Sequence, residues 1–233
     1  MTRSRANPSA STERSRPNGD RGKRLFDIAV SVAALVVCFP VLALVSLLVW
    51  LTSPGPVFFV QTRLGRKGRL FRLYKFRTMT DRPRVPDGPT RLDDPEVTAV
   101  GRILRRFKID EFPQFWNVLK GDMSIVGPRP GMPSLQDDLD EVGRERLEVR
   151  PGLTGLAQVH GGICLSWPER WKYDAEYVRR RSLLLDFWIL WKTLPVVIAG
   201  ENRFVKRLED RPESSCSEGE SYSKDQPVFE RGT

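Results

Sequence analysis

The sequence predicts an α+β fold, mainly helical. A proline-interrupted membrane helix, a β-hairpin and amphipathic interfacial helices surround one small domain. Three observations predict this. Ile28–Leu51 is an uncharged apolar run interrupted by Pro40. Two segments rich in β-branched and aromatic residues flank a Gly65-Arg66-Lys67-Gly68 tip, the pattern of a hairpin. Much of the remaining chain places apolar residues at the 3.6-residue period of a helix.

At 233 residues the chain holds one domain with a real core plus tails. Residues 1–22 are rich in Ser, Arg, Pro and Asn and read as a disordered basic tail. Residues 23–200 form the domain. Residues 201–233 are polar and Ser/Glu-rich and read as a second disordered tail. The apolar run comes too late for a signal peptide, and no small-x-small cleavage site follows it. The 38 Lys and Arg against 29 Asp and Glu give a formal charge of +9. That balance suits an anionic partner: nucleic acid, phosphorylated small molecules or an acidic membrane surface. Cys38, Cys164 and Cys216 form no CxxC, so neither a disulfide framework nor a zinc site is indicated. With His160 the one histidine, a metal site must lean on carboxylates, which favours Mg²⁺ or Mn²⁺.

Taken in order, Ile28–Leu51 is long enough to cross a bilayer. Pro40 removes a backbone hydrogen bond in mid-segment. Basic residues lie on both sides: Arg21, Lys23 and Arg24 before, Arg63, Arg66 and Lys67 after. Positive-inside logic holds both ends in the cytoplasm. Two geometries fit: a single-pass helix that tolerates its proline, and a helix that enters, bends at Pro40 and returns. Val57–Arg63 and Arg69–Arg77 form the hairpin strands. Arg82–Asp94 reads as a loop, Pro95–Lys108 as a helix carrying Arg102, Arg105 and Arg106. Met132–Leu147 is a polar helix, Leu156–His160 a short strand. Pro168–Arg181 is a helix with Trp171, Ala175 and Val178 inward. Leu183–Ala199 is an amphipathic helix on the membrane surface or packed on the core.

The chemistry gathers at Ile109–Pro130. Asp110 and Glu111 open a short helix whose Phe112, Phe115, Trp116 and Leu119 share one face. Gly121 ends it. In the plainest reading this is an N-cap Asp followed by a first-turn Glu. In the functional reading, the helix terminus keeps the carboxylates ionised. Gly127-Pro128-Arg129-Pro130 and Arg150-Pro151-Gly152 hold arginines in rigid turns beside them. Phosphoryl transfer needs charge neutralisation on its oxygens, and a carboxylate can be a covalent nucleophile at phosphorus. A second carboxylate can hold metal or move a proton. A membrane tether suits a lipid substrate. Against this stands a membrane-anchored basic scaffold. No nucleic-acid motif accompanies the charge, and nucleic acid is not an expected partner.

These residues also resemble a known family, the bacterial sugar transferases, or monotopic phosphoglycosyl transferases. The matching stretches are KRLFDIAVS, SPGPVFFVQTRLGRKGRLFRLYKFRTM, GRILRRFKIDEFPQFWNVLKGDMSIVGPRP, RPGLTGLAQV and WKYDAEYV…SLLLDFWILWKTL. The resemblance implies a small catalytic domain on the cytoplasmic face of the bacterial membrane, with both tails on that side. It implies transfer of a phosphosugar from a UDP-sugar to a polyprenyl phosphate, usually undecaprenyl phosphate, with release of UMP and a requirement for Mg²⁺. This would be the first membrane step of a surface polysaccharide or glycoconjugate, ahead of downstream glycosyltransferases.

By the same resemblance Asp110 is the nucleophile and Glu111 its metal or proton partner, with Mg²⁺ on Asp110 or Glu111. Lys75, Arg102, Arg129 and Arg150 are phosphate or nucleotide contacts. Asp174 and Tyr177 match the family's D-x-x-Y step as substrate-binding residues. Pro40 marks the membrane kink, so the resemblance selects the re-entrant geometry. The chain departs from the family at Phe39, where many members have Ser, and at His160-Gly161-Gly162, where Asn-Gly-Arg is common. The missing arginine leaves room for an inactive homologue that acts as an assembly partner. Longer members carry extra spanning helices and a further domain, so this chain reads as a minimal catalytic unit.

Overall fold

The structure is a computed structural model and describes residues 17–80 and 95–199. The tail up to residue 16, the loop read over 82–94 and the tail over 201–233 lie outside the described residues.

Helix α1 (Pro17–Thr52) runs through Pro40 without ending. It starts at Pro17, so the last residues of the stretch read as tail are helical. Its middle is bare: Val36, Val37, Phe39 and Leu44 are exposed. It is the one helix among the described residues long and apolar enough to cross a membrane. Both of its ends hold the same body. At the N-terminal end, Arg24 donates to Val118 O at 2.6 Å and Leu119 O at 2.8 Å. Lys23 pairs with Asp186 at 2.7 Å. At the C-terminal end, Val45 and Val49 pack on Phe76 and Leu104. Arg77 caps that end, donating to Pro54 O at 2.8 Å and to Ser53 O. Gly55 is obligatory there: its φ is +111°, and a Cβ would lie 2.3 Å from the Arg77 guanidinium.

The hairpin forms as expected. Strands β1 (Phe58–Leu64) and β2 (Leu70–Phe76) are antiparallel, with Phe58 opposite Phe76 and Leu64 opposite Leu70. The basic tip is a 3₁₀ turn in which Lys67 and Gly68 take positive φ. Helix α2 (Ala99–Arg106) is shorter than the reading over Pro95–Lys108. It starts only after Thr98, whose hydroxyl accepts from Gly101 N–H at 2.9 Å. A 3₁₀ turn, Ile109–Glu111, precedes α3 (Gln114–Lys120), which Gly121 closes in the left-handed conformation.

The buried side of α3 is Gln114, Asn117 and Val118. Trp116, on the shared apolar face, is 55% exposed. The reason is Asn117, which receives Tyr74 N–H at 3.1 Å and donates to Arg72 O at 2.7 Å, docking α3 on β2.

Strand β3 (Ser124–Val126) pairs in parallel with β4 (Gly152–Thr154). The polar helix read over Met132–Leu147 is two short pieces, α4 (Leu135–Asp138) and α5 (Glu141–Glu145). They are separate because Leu139 is extended and Asp140 caps Gly143 N–H at 2.6 Å. Leu156–Val159, read as strand, is a helical turn, α6. It is buried on every residue, where apolar character does not separate helix from strand. Helix α7 (Trp167–Arg180) opens with a Ser166/Glu169 capping box. Helix α8 (Leu183–Ala199) follows, with Leu184, Trp191 and Ile198 exposed. Val118, Met123, Val126, Leu165, Tyr177 and Ile189 make the core between α1, α3, the β3–β4 pair, α7 and α8.

Candidate active site

The dyad stands where α2 turns into α3. Lys108 makes that turn with φ +57°, a left-handed conformation uncommon outside glycine. Asp110 is buried at 7% exposure. Its Oδ1 is buried and has no hydrogen-bond partner. Glu111 is clamped: Lys75 Nζ reaches Glu111 Oε1 at 2.9 Å and Arg129 Nη2 reaches the same oxygen at 2.8 Å. Lys75 comes from β2 and Arg129 from the turn after β3, so the dyad ties three elements together.

The two carboxyls are driven apart electrostatically. Burial pushes Asp110 above the usual aspartate value, and Glu111 adds to it. Lys75, Lys108 and Arg105 pull the other way. Burial alone would raise Glu111 too, but Arg129, Lys75 and Lys108 outweigh it and hold that carboxyl well below the usual range. The helix terminus therefore does not hold both carboxylates low, as the sequence suggests: burial raises Asp110 while the clamped Glu111 stays below the usual range. Glu111 is the more acidic member of the pair, and Asp110 the more basic. Such a split assigns different jobs to neighbouring acids.

Arg129 is held from behind. Arg146 donates to Arg129 O at 2.5 Å and pairs with Asp174 Oδ2 at 3.2 Å. Burial raises Asp174 to about 6, against the pull of Arg146 and Arg170. The turn closes tightly because Gly127 crosses Gly152: a Cβ on Gly152 would lie 2.1 Å from Gly127 N.

Not every residue read from the sequence reaches this place. Lys75 and Arg129 do. Arg102 is exposed on α2, and Arg105 is the α2 arginine that acts on Asp110. Arg105 Nε also donates to Thr78 Oγ1 at 2.8 Å. Arg150 sits at the far end of α3 and donates to Gly121 O at 2.8 Å. Asp174 is a brace behind Arg129, with Arg146 between them. Tyr177 is 1% exposed, its hydroxyl between Val126 O at 3.0 Å and Asp186 Oδ1 at 2.8 Å. His160 stacks on Tyr173 at 4.6 Å and is remote from the dyad's contacts. Arg63, Arg105, Lys108 and Arg146 were not singled out from the sequence as site residues. Burial, with Arg129 beside it, lowers Arg63 to about 10, while Glu111 pulls the other way.

The bacterial sugar transferase model matches residues 19–200, which take in every residue of this cluster. The chain belongs to the bacterial sugar transferase family. It is 43% identical over 180 residues to the uncharacterized sugar transferase EpsL of Bacillus subtilis, covering 77% of this chain and 88% of that one. It is 38% identical over 198 residues to the exopolysaccharide production protein ExoY of Sinorhizobium fredii, covering 78% and 88%. The UDP-glucose:undecaprenyl-phosphate glucose-1-phosphate transferase of Caulobacter vibrioides is 40% identical over 194 residues, covering 79% and 73%.

In this sugar transferase no group of three or more His, Cys, Asp or Glu side chains forms a metal cage among the described residues. A Mg²⁺ ion needs less, being commonly held by one or two carboxylates with substrate phosphates and water. The unpartnered Asp110 Oδ1 beside Glu111 fits that donor set.

Proposed function

We propose that this sugar transferase moves a sugar-1-phosphate from a UDP-sugar to undecaprenyl phosphate at the cytoplasmic face of the membrane. The observation that carries the reading is the split dyad, a clamped Glu111 beside an Asp110 oxygen with no hydrogen-bond partner. The printed activity of the Caulobacter relative supports the substrate classes.

Asp110 attacks the β-phosphorus of the UDP-sugar. The bond from that phosphorus to the bridging oxygen breaks, and UMP leaves with the electron pair. A phosphate oxygen of the lipid then attacks the same phosphorus and displaces Asp110, giving the lipid diphosphosugar. Arg129, Lys75, Lys108 and Arg105 balance charge on the phosphoryl oxygens. Glu111 fixes Arg129 and Lys75. When bound, Mg²⁺ on Asp110, with Glu111 beside it, would neutralise diphosphate charge and help UMP depart.

The attachment of both α1 ends to one body supports a re-entrant helix. A straight crossing would carry one end across a hydrocarbon core of about 30 Å, away from that body. The outward apolar residues of α8 support its lying in the interface. Downstream glycosyltransferases would extend the product into a surface glycan.

The test is a panel of UDP-sugars with detergent-extracted protein, undecaprenyl phosphate and Mg²⁺, read as UMP release. At least one donor is expected to give UMP that is lost with chelator. No UMP from any donor would return the chain to an inactive homologue or a scaffold.

A further inference from the structure

The GPRP turn inherits its position from β3, so whatever fixes β3 also fixes Arg129. One edge of β3 is paired with β4: Ser124 N–H donates to Pro151 O at 2.8 Å and Gly127 N–H to Thr154 O at 2.9 Å. The sheet has two strands, so the other edge meets side chains. Asp27, on α1, accepts from Ile125 N–H at 3.1 Å and from Ser124 Oγ at 3.1 Å through the same Oδ1. The Tyr177 hydroxyl shares its one proton between Val126 O at 3.0 Å and Asp186 Oδ1 at 2.8 Å. Asp186 also receives Lys23, one turn before Asp27 on α1.

Asp27, Ser124, Tyr177 and Asp186 are each 1% exposed. Burying a carboxylate against one backbone amide and one hydroxyl is costly, and an apolar contact would pack as well. What the carboxylate adds is register. It fixes α1 to one amide of β3, two residues before Gly127.

We propose that Asp27 is a positioning residue. The foot of the membrane helix stands in for the neighbour strand that β3 lacks, and so sets Arg129 against Glu111. Its kinetic consequence rests on the proposed transfer reaction. The membrane anchor and the catalytic arginine then form one mechanical unit, joined through Asp27, Ile125 and Gly127. A misplacement of about 1 Å at a reacting centre costs about 100-fold.

The experiment uses the full chain in nanodiscs and compares Asp27→Ala, Asp27→Asn and Ser124→Ala. Hydrogen exchange is followed over 124–131, and UMP release is followed against donor concentration. Asp27→Ala is expected to speed exchange in that segment and lower kcat by about 10- to 100-fold, with the donor KM within about twofold. Asp27→Asn keeps an oxygen acceptor for Ile125 N–H and is expected to recover most of both losses. Ser124→Ala should give a smaller change in the same direction, and it reads the contact even if Asp27→Ala does not fold. Unchanged exchange over 124–131 in both Asp27→Ala and Ser124→Ala would overturn the proposal. So would an Asp27→Asn variant as impaired as Asp27→Ala. If the unaltered protein releases no UMP, the transfer reading falls, while the exchange arm still decides whether Asp27 holds the strand.

Discussion

The two ends of α3 carry the same residue types and do opposite things. At the N-terminal end Lys75 and Arg129 meet a carboxylate, Glu111, and leave Asp110 Oδ1 without a partner. At the C-terminal end Arg24 and Arg150 meet main-chain oxygens of Val118, Leu119 and Gly121. There the guanidinium groups satisfy the helix's last carbonyls and complement its negative end. An arginine in a Gly/Pro turn is thus not a phosphate ligand by virtue of the turn. Its partner decides, and the partner is set by which end of the helix it reaches.

The largest effect is expected at the reacting oxygen. Asp110→Asn should lower UMP release by about four to six orders of magnitude, the scale seen when a covalent nucleophile is removed. Residual turnover within tenfold of the unaltered enzyme would make Asp110 a metal or structural residue and erase the contrast between the two ends.

Next comes Arg129→Ala. It removes one clamp on Glu111 and one cation from the phosphoryl site, and should cost about 10²–10³ in kcat. Single-turnover UMP release would check it.

The brace behind Arg129 sharpens the same point through pH. Asp174 is raised to about 6 in the folded protein from the usual aspartate value of 3.8. The native state therefore holds a proton that the unfolded chain releases, and stability falls as pH rises between those values. Stabilisation is full below the unfolded value and lost above about 6. At 1.36 kcal/mol per unit the swing is about 3 kcal/mol. Urea unfolding in detergent at pH 4 and pH 7 measures it, and Asp174→Asn should flatten the dependence.

The smallest effect belongs to the other end of α3. Arg150→Ala should lower stability by about 1 kcal/mol and leave kcat within about threefold, because its bond to Gly121 O supports a helix end and not the dyad. A large rise in donor KM would instead move Arg150 into the substrate site.

Local chemistry made much of this legible. The hairpin, α1, α7 and α8 follow from period and turn residues. Asp110, Glu111, Lys75 and Arg129 were singled out from the sequence and do meet. Arg150 and Asp174 were not legible as struts, because their partners are Gly121 O and Arg146, each 28 or 29 positions away in the chain. Arg102 and Arg105 sit three residues apart on α2, and only packing against Thr78 says which one faces the dyad. Periodicity groups Phe112, Phe115, Trp116 and Leu119 on one helical face, but it does not say which face docks. Asn117 docks α3 on β2 and turns Trp116 outward.

The most direct test of the split dyad is the intact mass of the protein incubated with its UDP-sugar and Mg²⁺ in the absence of lipid acceptor. The expected result is a gain equal to one phosphosugar, mapped to the Asp110 peptide, discharged by undecaprenyl phosphate and absent in Asp110→Asn. An unchanged mass while UMP is released, or an adduct that survives in Asp110→Asn, would contradict the assignment of Asp110 as the attacking oxygen.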